Sequence, residues 1–159
     1  MEKLKAVAGN VFSGLLLLII VSGCGTTPPT NLSEPGWQRY SGQGVWKAKL
    51  GNPEITGDAV FAVNHDGRVL LEFGTNAQML VKAELSPRDW HLAYIQERRH
   101  YSGTGIPPKD LTWIYLLRAL EQIEPPKEYI IWRTFEGGTR IENKRTGEVI
   151  NLYINEAGK

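Results

Sequence analysis

Cys24 is the only cysteine among 159 residues, so its thiol has no partner for an intrachain disulfide. It follows an apolar run, residues 11–21, that is preceded by a basic start at Lys3 and Lys5. A lone thiol at that place calls for an explanation other than a disulfide. Two other groups bring reactive residue types close together. His65 stands beside Asp66, a pair that can move protons or hold a metal; in an Asp-Gly turn the same pair also reads as solvated surface. The run Glu97-Arg98-Arg99-His100-Tyr101 is the densest basic cluster. Arg98 and Arg99 suit an anionic lipid headgroup, because guanidinium donors match phosphate oxygens; a solvated strand end is the plainer reading. No HExxH, CxxC, GxSxG or Walker-type loop occurs, and Gly42-Gln43-Gly44 is too short to cradle a phosphate. The residues therefore point away from an enzyme, and no metal or cofactor is expected.

The segment around Cys24 sets the organisation of the chain. Residues 11–21 are too few to span a bilayer comfortably, and small residues follow them, as in a cleavable leader. Val21-Ser22-Gly23-Cys24 resembles the bacterial lipobox. That resemblance implies removal of residues 1–23, diacylation of the Cys24 sulfur and acylation of the new amine. Gly25 stands where an Asp would signal retention in the inner membrane of a Gram-negative cell. The expected place is then the outer membrane, on its periplasmic side. Residues 24–36 comprise the lipidated cysteine and a tether rich in Pro, Thr, Ser and Gly, which reaches at most about 40 Å. A single β domain is expected over residues 37–155, and a polar tail over 156–159.

The formal net charge of +1 resides in the leader, so the remaining chain is neutral overall. Neutrality argues against nucleic acid as a partner, since phosphate contacts require a basic excess. With no second cysteine, the domain must be held by packing alone.

Apolar residues alternate with polar ones from residue 37 onward. The spacing predicts strands over residues 45–50, 55–64, 68–73, 79–85, 90–96, 128–135, 139–143 and 149–154, with Trp46, Ala48 and Leu50 sharing one face. Asp66-Gly67 and Gly137-Gly138 are hairpin turns, because glycine accepts positive φ. Leu111, Ile114 and Leu117 recur at helical spacing, flanked by Trp113, Leu116 and Leu120. Asp110 is the expected N-cap, and Pro125-Pro126 the expected stop. The fold class is mainly β (α+β). About eight strands form one curved antiparallel sheet, a half-open barrel packed around one inserted helix.

This layout resembles the LolB-like outer-membrane lipoproteins, which share an incomplete β-barrel with the LolA and LppX carriers. The resemblance is carried by Val21-Ser22-Gly23-Cys24, by Tyr40-Ser41-Gly42-Gln43-Gly44, by the strand pair around Asn64-His65-Asp66-Gly67, and by Pro107-Pro108 leading into the helix. It covers nearly the whole chain and implies an apolar cavity for lipid or lipoprotein acyl chains, in a transport or acceptor role. Residues expected to line such a cavity are Trp46 and Phe61 on the first strands, then Leu71, Phe73, Met79 and Val81. Trp90 and Leu92 follow on the fifth strand, with Trp113, Leu116 and Leu117 on the helix. The same inward faces serve equally as a solid core. The second class of function is therefore a structural or assembly lipoprotein with a filled core, which meets a protein partner through an exposed apolar patch that includes Leu70 and Leu80. Cys24→Ser is expected to abolish incorporation of labelled palmitate and to release the protein from membranes on fractionation; unchanged labelling would refute the assignment.

Overall fold

The structure is a computed structural model that describes residues 30–155. The leader, Cys24, the first part of the tether and the tail 156–159 lie outside the described residues. Residues Asn31–Lys159 form a compact unit with its own core.

The chain runs β1 (Trp37–Lys47), β2 (Ile55–Asn64), β3 (Val69–Thr75), β4 (Gln78–Leu85), β5 (Asp89–Tyr94), β6 (Arg99–Thr104), α1 (Thr112–Leu120), β7 (Ile130–Phe135), β8 (Gly138–Asn143) and β9 (Val149–Ile154). The nine strands form one antiparallel sheet in the order β6-β5-β4-β3-β2-β1-β9-β8-β7. The sheet is curved and unclosed, with β6 and β7 as its edges. The expected half-open barrel with one helix is thus present, with one strand more than the spacing predicts. The additional strand is β6. Its sequence, RHYSGT, carries charge and glycine where an apolar alternation would show, and it remains largely exposed at the sheet edge.

Registered pairs carry one inner face across the sheet. Phe61 lies opposite Leu71, Leu71 opposite Ala83, Ala83 opposite Leu92 and Leu92 opposite Tyr101. On the other side, Trp46 lies opposite Ile150, Ile150 opposite Ile141 and Ile141 opposite Trp132. Two glycines make room for aromatic rings on this face. A Cβ on Gly44 would lie 2.9 Å from the Phe73 ring, and one on Gly103 would lie 2.6 Å from the Trp90 ring.

Helix α1 fills the concavity. It packs against β3, β4, β5 and β8, reaching both halves of the sheet. Trp113, Ile114, Tyr115, Leu116 and Leu117 are all buried. The Trp113 ring lies 5.4 Å from Phe73 and meets Trp46 edge-on at 5.7 Å. The helix ends depart from the expectation. Leu111, with no side-chain capping bond, holds the N-cap position, and Asp110 instead accepts from Arg145 Nε at 3.0 Å. The helix stops at Leu120, ahead of the prolines. Gln122 turns left-handed (φ 59°), its N–H donates to Ala119 O, and Ile123 N–H donates to Arg118 O at 2.8 Å. These two bonds satisfy the last carbonyls in the manner of a Schellman motif.

Further differences have local causes. The strand expected over residues 45–50 starts earlier, at Trp37, and ends at Lys47. Leu50 therefore does not share the face of Trp46; it is 84% exposed in the turn, where Gly51 takes φ 88°. The β3–β4 register shifts between Phe73 and Gly74. The extra residue of this bulge buries Leu80 beside Val81 and leaves Met79 37% exposed. Leu70 and Leu80 are both buried, so they form no exposed patch.

The segment 31–36 is fastened to the start of the sheet. Arg39 Nη2 donates to Leu32 O at 2.6 Å, and Arg68 pairs with Glu34 at 2.9 Å and with Asp66 at 2.8 Å. The same guanidinium lies over the Trp37 ring at 5.3 Å. Trp113→Ala should lower unfolding free energy by about 3–5 kcal/mol in urea titrations, whereas Phe135→Ala at the sheet edge should change it by less than about 1 kcal/mol.

Candidate functional site

Four segments converge at the end of the sheet opposite the tether. The end of β1 and the turn after it bring Trp46, Ala48, Lys49 and Asn52. The β5–β6 hairpin brings Tyr94, Glu97, Arg99 and Tyr101. Asp110 and Leu111 precede α1, and the β8–β9 hairpin contributes Thr146 and Glu148. Together they line a cleft of about 720 Å³. A smaller hollow of about 210 Å³ lies beside Met79, with Asp58, Glu72 and Gln78.

The β8–β9 hairpin is held in place by Asn143, which is 0% exposed. Its Oδ1 accepts from the N–H groups of Arg145 (3.0 Å) and Thr146 (3.4 Å). Its Nδ2 donates to Lys109 O at 2.8 Å and to Thr112 Oγ1 at 3.2 Å. One amide thereby shapes the turn and ties it to the start of α1. The pairing of Lys47 with Val149 then sets Glu148 beside Trp46, and Trp46 Nε1 donates to Glu148 Oε1 at 2.7 Å.

Glu148 is 4% exposed. Among the described residues no cation forms an ion pair with it. Burial is the largest influence on its carboxyl and pushes its pKa up to about 7, since a charge in a poorly solvated place is costly. The Thr112 hydroxyl, the Trp46 N–H, the nearby charge of Arg99 and the Trp113 N–H act the other way, by favouring the ionised form. Trp113 Nε1 is buried and makes no hydrogen bond of good geometry. The Tyr94 hydroxyl is pushed strongly upward by burial and then by the charge of Glu148.

Arg99 is held by residues of its own hairpin. It pairs with Glu97, donates to Tyr101 Oη at 3.3 Å and lies over the Tyr94 ring at 5.0 Å. Arg98 takes φ 52° in the hairpin turn and does not line the cleft. Of the expected cavity residues, all but Met79 belong to the hydrophobic core, where the sheet residues pack around Trp113, Leu116 and Leu117. Trp46 and Arg99 alone among the expected ligand residues line the cleft. His65 is exposed in its turn, and no group of three metal-ligating side chains occurs among the described residues. No helix among the described residues is long and apolar enough to cross a membrane.

Sequence reasoning missed Glu148, Lys49 and Tyr94. Glu148 stands in Arg145-Thr146-Gly147-Glu148, which reads as a solvated turn, and its burial arises only when β9 pairs with β1. No family model matches the chain, and no curated protein matches it in sequence.

The linkage of Glu148 to stability has a definite sign. Its folded pKa of about 7 exceeds the ordinary value of 4.5, so between those pH values the folded state holds a proton that the unfolded state has released. Its contribution is fully present below pH 4.5 and is lost as pH rises to about 7. Relative to Glu148→Gln, which keeps an acceptor for Trp46, the natural protein should lose about 3 kcal/mol of stability from pH 4.5 to 7.5 in denaturant titrations. Parallel pH profiles for the two proteins would contradict the assignment.

Proposed function

We propose that the protein is a membrane-anchored lipoprotein of the periplasmic side of the outer membrane that binds a lipid or a lipoprotein acyl group, and that it does so at the end cleft. The leader, the lipobox-like Cys24 and the half-open sheet with its helix support the anchored, LolB-like part of this reading. The observation that carries the ligand site is the meeting of Trp46 and Arg99 in one cleft of about 720 Å³. Trp46, Tyr94 and Leu111 offer an apolar wall there, Lys49 offers a cation for an anionic headgroup, and Arg99 adds positive charge while paired with Glu97.

One observation favours a second reading, in which the domain is an assembly lipoprotein that meets a partner protein. The space between sheet and helix is packed with core side chains. Phe135 at the end of the edge strand β7 and Tyr153 on β9 also form an exposed aromatic pair, with ring centroids 5.4 Å apart. Native mass spectrometry and lipid extraction on Asn31–Lys159 separate the two. Copurified lipid that is lost in Ala48→Trp, a substitution that fills the cleft, would support the carrier. A clean apo mass, with no uptake of a fluorescent fatty acid, would favour the assembly role.

A further inference from the structure

Glu148 has a polar role that does not require its charge. A neutral acceptor, such as a glutamine amide, would hold the Trp46 N–H equally well. The carboxyl instead brings an ionisable group to a buried position in an open cleft, with no ion-pair partner among the described residues. A cation delivered from solution would offset that cost of ionisation.

The surroundings suit such a guest. The Trp46 and Tyr94 rings stack at 6.0 Å, and the Tyr94 face already accepts one cation, the Arg99 guanidinium at 5.0 Å. Arg99 itself is held by Glu97 and by Tyr101 Oη, and it makes no ion pair with Glu148 among the described residues. Asp110 is occupied by Arg145 at 3.0 Å. Lys49, exposed in the turn after β1, is the lining cation with no ion-pair partner among the described residues. Once these pairs are set aside, one negative and one positive group remain to face a ligand.

We propose that the cleft binds a short zwitterion, with its ammonium group against the Glu148 carboxylate beside the Trp46 and Tyr94 rings and its oxyanion at Lys49. This rests on the reading of the cleft as the ligand site and names the chemistry that site selects. The same chemistry is offered by a lipid headgroup of the phosphoethanolamine type and by a free aminoalkyl phosphate.

Binding is coupled to the Glu148 proton. The charged and titratable groups that line the cleft with Glu148 are Arg99, Glu97 and Tyr101 from the β5–β6 hairpin and β6, Tyr94 from β5, Lys49 from the turn after β1, and Asp110, which pairs with Arg145. Thr112 and Trp113 face it from α1. With the carboxyl half-protonated near pH 7, an ammonium guest draws off the proton, so affinity falls by about tenfold from pH 8 to pH 6.

The test is calorimetric titration of Asn31–Lys159 with O-phosphoethanolamine, ethanolamine and glycerol phosphate at pH 6 and pH 8, in buffers of different ionisation enthalpy. O-phosphoethanolamine should bind with proton release, about tenfold more weakly at pH 6. Glu148→Gln should weaken it at least tenfold and remove the pH dependence. Lys49→Ala should weaken O-phosphoethanolamine and leave ethanolamine unchanged, which keeps the proposal testable if the Glu148 variant folds poorly. Dihexanoyl phosphatidylethanolamine, below its micelle concentration, identifies the source. Tighter binding than the headgroup, with the same dependence on Glu148, means a lipid; equal binding means the free zwitterion; either supports the proposal. Dihexanoyl phosphatidylglycerol binding as tightly, and unmoved by Glu148→Gln, overturns the ammonium site while lipid binding stands. No uptake of any headgroup or lipid overturns both.

Discussion

A curved sheet that does not close leaves its concave apolar face in need of cover, and everything else in this domain follows from how that cover is supplied. The nine-stranded sheet has two free edges, and a single helix of nine residues lies in its hollow. So short a helix has little intrinsic stability, and it persists because nearly every side chain on it is buried. The dependence is mutual. Without the helix, Phe73, Val81, Leu92 and Ile141 would face water; without the sheet, residues 112–120 would not stay helical. Trp113 is the point of closest engagement, touching aromatic rings that come from β1 and from β3.

The helix must also be held at the right depth, and polar contacts at its N-terminal end do this. Asn143 fastens the β8–β9 turn to Lys109 and Thr112, and Glu148 in that turn accepts from Trp46. Three parts of the chain that are distant in sequence are thus joined within one buried cluster. Such clusters are expensive to assemble incompletely, because each member left unpaired is a desolvated polar atom. Here Asn143, Thr112, Trp46 and Glu148 each have a hydrogen-bond partner, and Glu148 is one of the residues that line the cleft.

Strands with a clear period of two were legible, and the match for residues 55–64 and 149–154 is complete because one side of each faces the core. The helix was legible for the same reason at a period of 3.6, although its caps were not. Asp110 has the right residue type for an N-cap, but a pairing with Arg145 from another hairpin claims it. Met79 followed the period correctly and still ended on the wrong side, because a bulge adds a residue that composition does not announce. β6 was hidden because an edge strand with charged residues has little apolar alternation to display. Glu148 shows the limit most clearly. Its local sequence is that of a turn, and only pairings with strand positions about a hundred residues earlier decide that it is enclosed.

The attachment of the tether has a geometric consequence. Residues 31–36 are fastened at the Trp37 end of β1, whereas the cleft opens beyond Lys47, its other end. An 11-residue strand separates the two by about 35 Å. The fastened segment and the cleft thus occupy opposite ends of the domain. Whatever enters the cleft therefore does so without passing the fastened segment, and a change in residues 31–36 leaves the lining of the cleft untouched.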